Sequence, residues 1–142
     1  MEQTAHTLLD RIGGEVAVKR LVETFYDLME SDPEVYELHR LHFRGHGLNL
    51  TRSEQFNFLT GFFGGRRYYI EKHGHMNLRQ IHEHIPIRSA DVEMWLELMD
   101  RALEQCDMRG PDIEKIRATL RRAALTLIND LPDWRTGDET TP

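Results

Sequence analysis

Cysteine is nearly missing from this chain. Cys106 stands alone, so no internal disulfide can form and nothing points to an oxidising compartment. No apolar run approaches the roughly 20 residues that span a bilayer. The opening MEQTAHTLLDRIGG lacks a basic stretch followed by an apolar one, so no signal peptide is expected and the cytoplasm is the expected location. An excess of positive charge is missing too. The formal net charge of −6 repels phosphate backbones and anionic lipids, so neither nucleic acid nor membrane is an expected partner. Useful runs of alternating apolar and polar residues are also lacking, which removes the strand signal. What remains is an all-helical chain of 142 residues, long enough for one domain to bury a core without a staple.

Helical spacing recurs along the sequence. Residues 4–11 read as a short helix stopped by Gly13-Gly14. Val18, Leu21, Val22, Phe25, Leu28 and Met29 repeat at steps of three and four and predict a helix over 15–31. Ser31-Asp32-Pro33 ends it, and 34–41 reads as one short helix. Gly45 and Gly47 make 42–51 a loop or break. A helix starts near Thr51 or Ser53 and runs to about Phe63, before Gly64-Gly65. Short helices are expected at 66–73 and 76–83. Long ones are expected at 89–107, with Val92, Trp95, Leu96, Met99, Ala102 and Leu103 on one face, and at 112–130 after Gly110-Pro111. The tail LPDWRTGDETTP is polar and reads as frayed.

Histidine is the one unusual count. There are eight, at 6, 39, 42, 46, 73, 75, 82 and 84, and imidazole is a common metal ligand at neutral pH. His82 follows Leu78 by four residues on a short helix and is flanked by Ile81, Ile85 and Ile87. The pattern admits two readings: a ligand reaching into a pocket, or a hydrogen-bonded core histidine. Tyr26 flanks the apolar face of its helix, either as a donor facing inward or with its hydroxyl at the surface. Gln55 shares a face with Thr51, Phe58, Leu59 and Phe62. If that face points inward, a buried amide needs a polar partner. Trp95 adds an indole N–H within a core stripe. The glycine pairs permit sharp reversals that open a cavity among short helices.

Four stretches, RIGGEVAVKRLVETFYDLM, FLTGFFGG, YIEKHGHMNLR and DVEMWLELMDRAL, resemble in content and order the bacterial truncated haemoglobins of group II, the O-type. The resemblance covers about 8–130. It implies an all-α truncated globin fold, with two helices stacked over two around haem b (iron protoporphyrin IX). It implies one domain over 1–130, followed by a flexible tail at 131–142. His82 matches the iron-ligating proximal histidine. Tyr26, Thr51, Gln55 and Trp95 match distal positions, and His42 matches the position closing the preceding helix, with Phe43 as an alternative. Arg79, Tyr69 and His75 match polar positions near the haem propionates, and Phe58 is expected against the haem. The chain departs from many relatives at Ile81, where they carry arginine, and at His84-Ile85-Pro86, where they carry Pro-Phe.

The resemblance implies binding of O2, NO, CO or peroxide. Each donor aimed at a polarised ligand adds about 1 kcal/mol, and more when the acceptor is charged, so two or three slow release by roughly ten- to a thousandfold. Carbon monoxide gains less. Oxygen binding is the primary expectation. Nitric oxide dioxygenation and peroxide reduction are family-type reactions that require an external reductase or reductant, because no Gly-rich nucleotide fingerprint is present. A monomer or homodimer is expected. Three other readings compete. A di-iron carboxylate bundle lacks its Glu-x-x-His pairs. A zinc site at His42 and His46 needs a helix across Gly45. A cofactor-free helical interaction module would make Tyr26, Gln55 and Trp95 ordinary packing residues.

Overall fold

A computed structural model describes the backbone of residues 7–46 and 48–136, and the side chains of 7–41 and 51–135. Among the described residues there is no strand, and no helix is long and apolar enough to cross a membrane.

Helix α1 (Leu8–Arg11) begins at Thr7, whose hydroxyl accepts from Asp10 N at 3.1 Å while Asp10 accepts from Thr7 N at 3.3 Å. This reciprocal cap starts the helix later than the expected residue 4, and residues 4–6 lie outside the described chain. Gly13 (φ 116°) reverses the backbone into α2 (Gly14–Ser31). Six side chains of α2, from Val18 to Met29, are buried. Leu28 belongs to the predicted face yet is only half-buried, whereas Tyr26 is fully buried. Burying each large aliphatic or aromatic side chain stabilises the fold by roughly 1.5–3 kcal/mol.

Asp32 ends α2 and caps a 3-10 turn (Pro33–Val35), accepting from Glu34 N at 2.9 Å. Helix α3 (Tyr36–His46) and helix α4 (Leu48–Phe62) follow. The loop expected over 42–51 is therefore largely helical. Glycine costs only about 1 kcal/mol in a helix interior, and tertiary packing overrides it. After α4 the chain turns through Gly64 and Gly65. At Gly65 a Cβ would lie 2.2 Å from Leu9 Cδ2 and 3.0 Å from Thr60 O, so glycine lets the turn close on α1.

Helices α5 (Tyr68–His73) and α6 (Leu78–Ile81) are short. The first ends on Gly74 (φ 84°), and the second is capped by Asn77, which accepts from Gln80 N at 3.0 Å. Helices α7 (Ser89–Gln105) and α8 (Pro111–Leu125) are long. The last helix stops short of the expected residue 130: past Leu125 the bonds tighten to Thr126 N–Ala123 O at 3.2 Å and Leu127 N–Ala124 O at 3.0 Å, and Asn129 N leaves the helix for Ile87 O at 2.8 Å. Ile128, expected on its apolar face, is exposed.

Helix α2 packs on α7 and α4, α4 on α5, and α7 on α8, forming one core around α2. The tail differs from the frayed segment expected. Residues 131–136 fold back, with a 3-10 turn at Trp134–Thr136. The Arg135 side chain is 5% exposed and bridges Asp91 and Asp133 at 2.8 Å. Arg40 lies over the Trp134 ring, 5.3 Å from its centroid. Residues 137–142 lie outside the described chain.

Candidate functional site

Helix α2 carries Tyr26 into the interior, where it is 0% exposed. Its hydroxyl donates to the Gln55 side-chain oxygen at 3.4 Å. Gln55 on α4 therefore turns toward Tyr26, and its half-buried amide has a polar partner there. Burial pushes the Tyr26 pKa well above its ordinary value of 10.0, with nearby Arg52 working against it. The phenol thus stays protonated and remains a donor. Phe25 joins this side of the molecule together. Its ring meets Tyr26 edge-on at 4.9 Å and Trp95 of α7 at 5.4 Å. Trp95 is half-buried rather than central to the core, and its indole N–H makes no hydrogen bond among the described residues. Thr51 is half-buried one turn before Gln55. His42 lies on α3, outside the residues whose side chains are described. Because α3 runs through His46, the helix that a His42–His46 zinc pair needs is present, but both side chains lie outside the described set. Among the described residues no group of three His, Cys, Asp or Glu side chains could hold a metal ion.

A second group of rings links α4 to the chain after it. Phe58 stacks on Phe62 at 5.5 Å and meets Tyr69 edge-on at 5.6 Å. Tyr69 contacts His73 at 4.3 Å and His75 at 6.5 Å. His75 Nδ1 accepts from Asn77 N at 3.0 Å. Glu54 binds Lys72 Nζ and His73 Nε2, both at 2.9 Å. Burial raises the Glu54 pKa, but the hydrogen bonds from Lys72 and His73 outweigh it and hold the carboxyl below its usual range. Arg79 projects from α6 and is exposed.

His82 caps the C-terminus of α6. Its ring Nδ1 lies 2.8 Å from Leu78 O, and its own backbone N lies 3.1 Å from the same oxygen. A carbonyl only accepts, so Nδ1 carries the proton and the lone pair resides on Nε2. Among the described residues Nε2 has no hydrogen-bond partner. Burial lowers the His82 pKa, against the smaller upward pull of Leu78 O, so the ring is neutral at pH 7. A neutral, oriented imidazole with one free ring nitrogen is the form that ligates iron or zinc. Phe58, Phe62, Ile85, Met94 and Trp95 pack on the core but keep apolar surface uncovered. The residues present therefore fit a flat apolar group carrying a metal.

One residue of this region was missed in the sequence. Arg52, between Thr51 and Gln55, is 15% exposed and binds Glu23, Asp27 and Glu30 of α2, the last two at 3.0 and 2.7 Å. Its guanidinium also lies 5.8 Å from the Tyr26 ring centroid. The signal was legible in principle, because residues 23, 27 and 30 place three carboxylates on one helical face.

Residues 7–129 match the family described as bacterial-like globin. The chain belongs to that family. Its relatives place this globin with the group II truncated haemoglobins. It is 31% identical over 116 residues to the group 2 truncated hemoglobin YjbI of Bacillus subtilis (strain 168), covering 82% of this chain and 84% of that protein. The group II 2-on-2 haemoglobin of Agrobacterium tumefaciens superimposes with a TM-score of 0.81 at 33% identity, covering 91% of this globin and 98% of that chain. The group II truncated haemoglobin of Bacillus anthracis gives 0.80 at 29%, covering 92% and 97%. The truncated globin fold expected from the sequence is the fold observed.

Proposed function

We propose that this globin holds haem b through His82 Nε2 and binds a diatomic gas, oxygen first among them, on the side walled by Tyr26, Gln55 and Trp95. The observation that carries the reading is the commitment of Nδ1 to Leu78 O at 2.8 Å, which leaves Nε2 available on a neutral ring. The relatives' names, truncated and 2-on-2 haemoglobins, support the same reading.

Haem, when bound, supplies an iron that coordinates a small gas reversibly. The protein's own residues do the rest. His82 orients one nitrogen and keeps it unprotonated. The Tyr26 hydroxyl is held protonated by burial, and Gln55 and Trp95 add an amide and an indole N–H to the donor set. Thr51 and His42 complete the distal set. Phe58 would give the haem apolar contact, and Arg79, with Tyr69 and His75, would pair with its carboxylates. Slow release by several donors suits chemistry on the gas better than its transport. Nitric oxide dioxygenation and peroxide reduction with an external reductant are therefore the reactions to assay.

Titrating the purified protein with haemin tests the core of this reading. A saturable Soret band at one haem per chain, lost in His82→Gly, is expected. A chain that ignores haemin would instead be the cofactor-free helical module.

A further inference from the structure

The segment after His82 is held by the far end of the chain. Pro86 has no N–H, and the stretch from Ile85 to Arg88 belongs to no helix, so its backbone groups need partners from elsewhere. Asn129 supplies them. Its side-chain Nδ2 donates to Ile85 O at 2.9 Å, its Oδ1 accepts from Ile87 N at 3.3 Å, and its backbone N donates to Ile87 O at 2.8 Å. Ile85 N in turn donates to His82 O at 3.0 Å. A short relay of hydrogen bonds therefore runs from Asn129 through Ile85 to the main chain of His82.

Asn129 is itself braced on several sides. Its Oδ1 accepts from Leu131 N at 3.0 Å, and its Nδ2 also reaches Leu127 O at 3.3 Å. Arg88 donates to Asn129 O at 2.7 Å and to Leu131 O. Farther along, Arg135 anchors the tail on Asp91, in the first turn of α7. Only a side-chain amide offers donors and an acceptor together at this reach. Aspartate has no donor, and alanine leaves Ile85 O and Ile87 N without these partners.

We infer that Asn129 is a positioning residue for His82: it fixes the loop behind the ring, so that Nε2 meets the haem iron at one orientation. The inference rests on the proposed haem ligation. Outer partners of metal ligands typically change metal affinity or activity by 10–100-fold when removed, and an effect of that order is expected here.

The test compares haem-loaded wild type with Asn129→Ala and Asn129→Asp. The second variant keeps Oδ1 but replaces the donor to Ile85 O with another acceptor. Arg121→Gln, which breaks an exposed ion pair with Glu93 on α7, is the control. Two readouts are taken: the rate of haem transfer to excess apomyoglobin, and the iron–histidine stretching band of the ferrous protein by resonance Raman. Both Asn129 variants are expected to transfer haem roughly 10–100-fold faster and to shift or broaden the band, and the control to change neither. An unmoved band and an unchanged transfer rate in a folded Asn129 variant would overturn the inference while leaving haem ligation standing. Loss of helical circular dichroism in both variants would also overturn it, assigning Asn129 to the fold at large. A wild-type chain that takes up no haem would sink the proposed function, and this inference with it.

Discussion

The Tyr26 hydroxyl and the Gln55 side-chain oxygen face each other at 3.4 Å across the α2–α4 contact. This spacing is loose for an O–H···O bond, whose usual length is about 2.7–2.8 Å. The hydroxyl can therefore turn to a better acceptor at little cost. Tyr26→Phe is expected to speed oxygen release from the ferrous protein more than about fivefold, one hydrogen bond being worth about 1 kcal/mol. Carbon monoxide release should change less. Stopped-flow dissociation rates for the two gases check this, and equal oxygen rates would remove Tyr26 from the distal set.

His82→Gly should abolish stable haem incorporation, since it removes the oriented nitrogen. Added imidazole should restore a Soret band by filling the vacated space. A variant spectrum identical to wild type without imidazole would hand the ligand role to another residue.

Arg52→Met removes the cation that Glu23, Asp27 and Glu30 share. Hydrogen bonds to charged groups contribute about 1.5–3 kcal/mol, and Arg52 is mostly covered. A stability loss of roughly 2 kcal/mol is expected from urea unfolding at pH 7. The three carboxylates then repel one another across one helical face. The loss should therefore shrink at high salt and at a pH low enough to protonate them.

Arg135→Met breaks a covered pair, with Arg135 5% and Asp91 8% exposed. Stranding such a partner costs about 3–5 kcal/mol. The pH dependence has a definite sign. The hydrogen bond from Arg135 holds Asp133 below the usual carboxylate range, against a smaller upward effect of burial. A carboxyl depressed in the folded state contributes stability that is full above the unfolded value of about 3.9. That contribution is lost as pH falls through the lower folded value. Wild type should thus lose more stability than Arg135→Met between pH 5 and pH 3. Urea midpoints at the two pH values measure the difference.

The long helices were readable because their burial repeats at the helical period, as Val18, Leu21, Val22 and Phe25 show on α2. The inward face of α4 was readable for the same reason, and Gln55 followed from it. The helical course of 42–46 and 48–51 was not, because Gly45 carries a local penalty that only tertiary contacts offset. The ordering of residues 131–136 depends on Asp91, Arg88 and Arg40, far away in the sequence, and no local pattern announces such partners. His82 could be singled out from its apolar flanks, but the acceptor for its ring could not. That acceptor is a main-chain oxygen, which every residue type possesses.

A main-chain acceptor makes position 78 tolerant of side-chain exchange. Leu78 offers its carbonyl both to the backbone and to the ring of His82. Exchanging the Leu78 side chain therefore leaves the acceptor in place. Ring and main chain of His82 thus share one anchor inside α6, while Asn129 braces the loop that follows. A substitution at Leu78 keeps this anchor, because the oxygen belongs to the main chain.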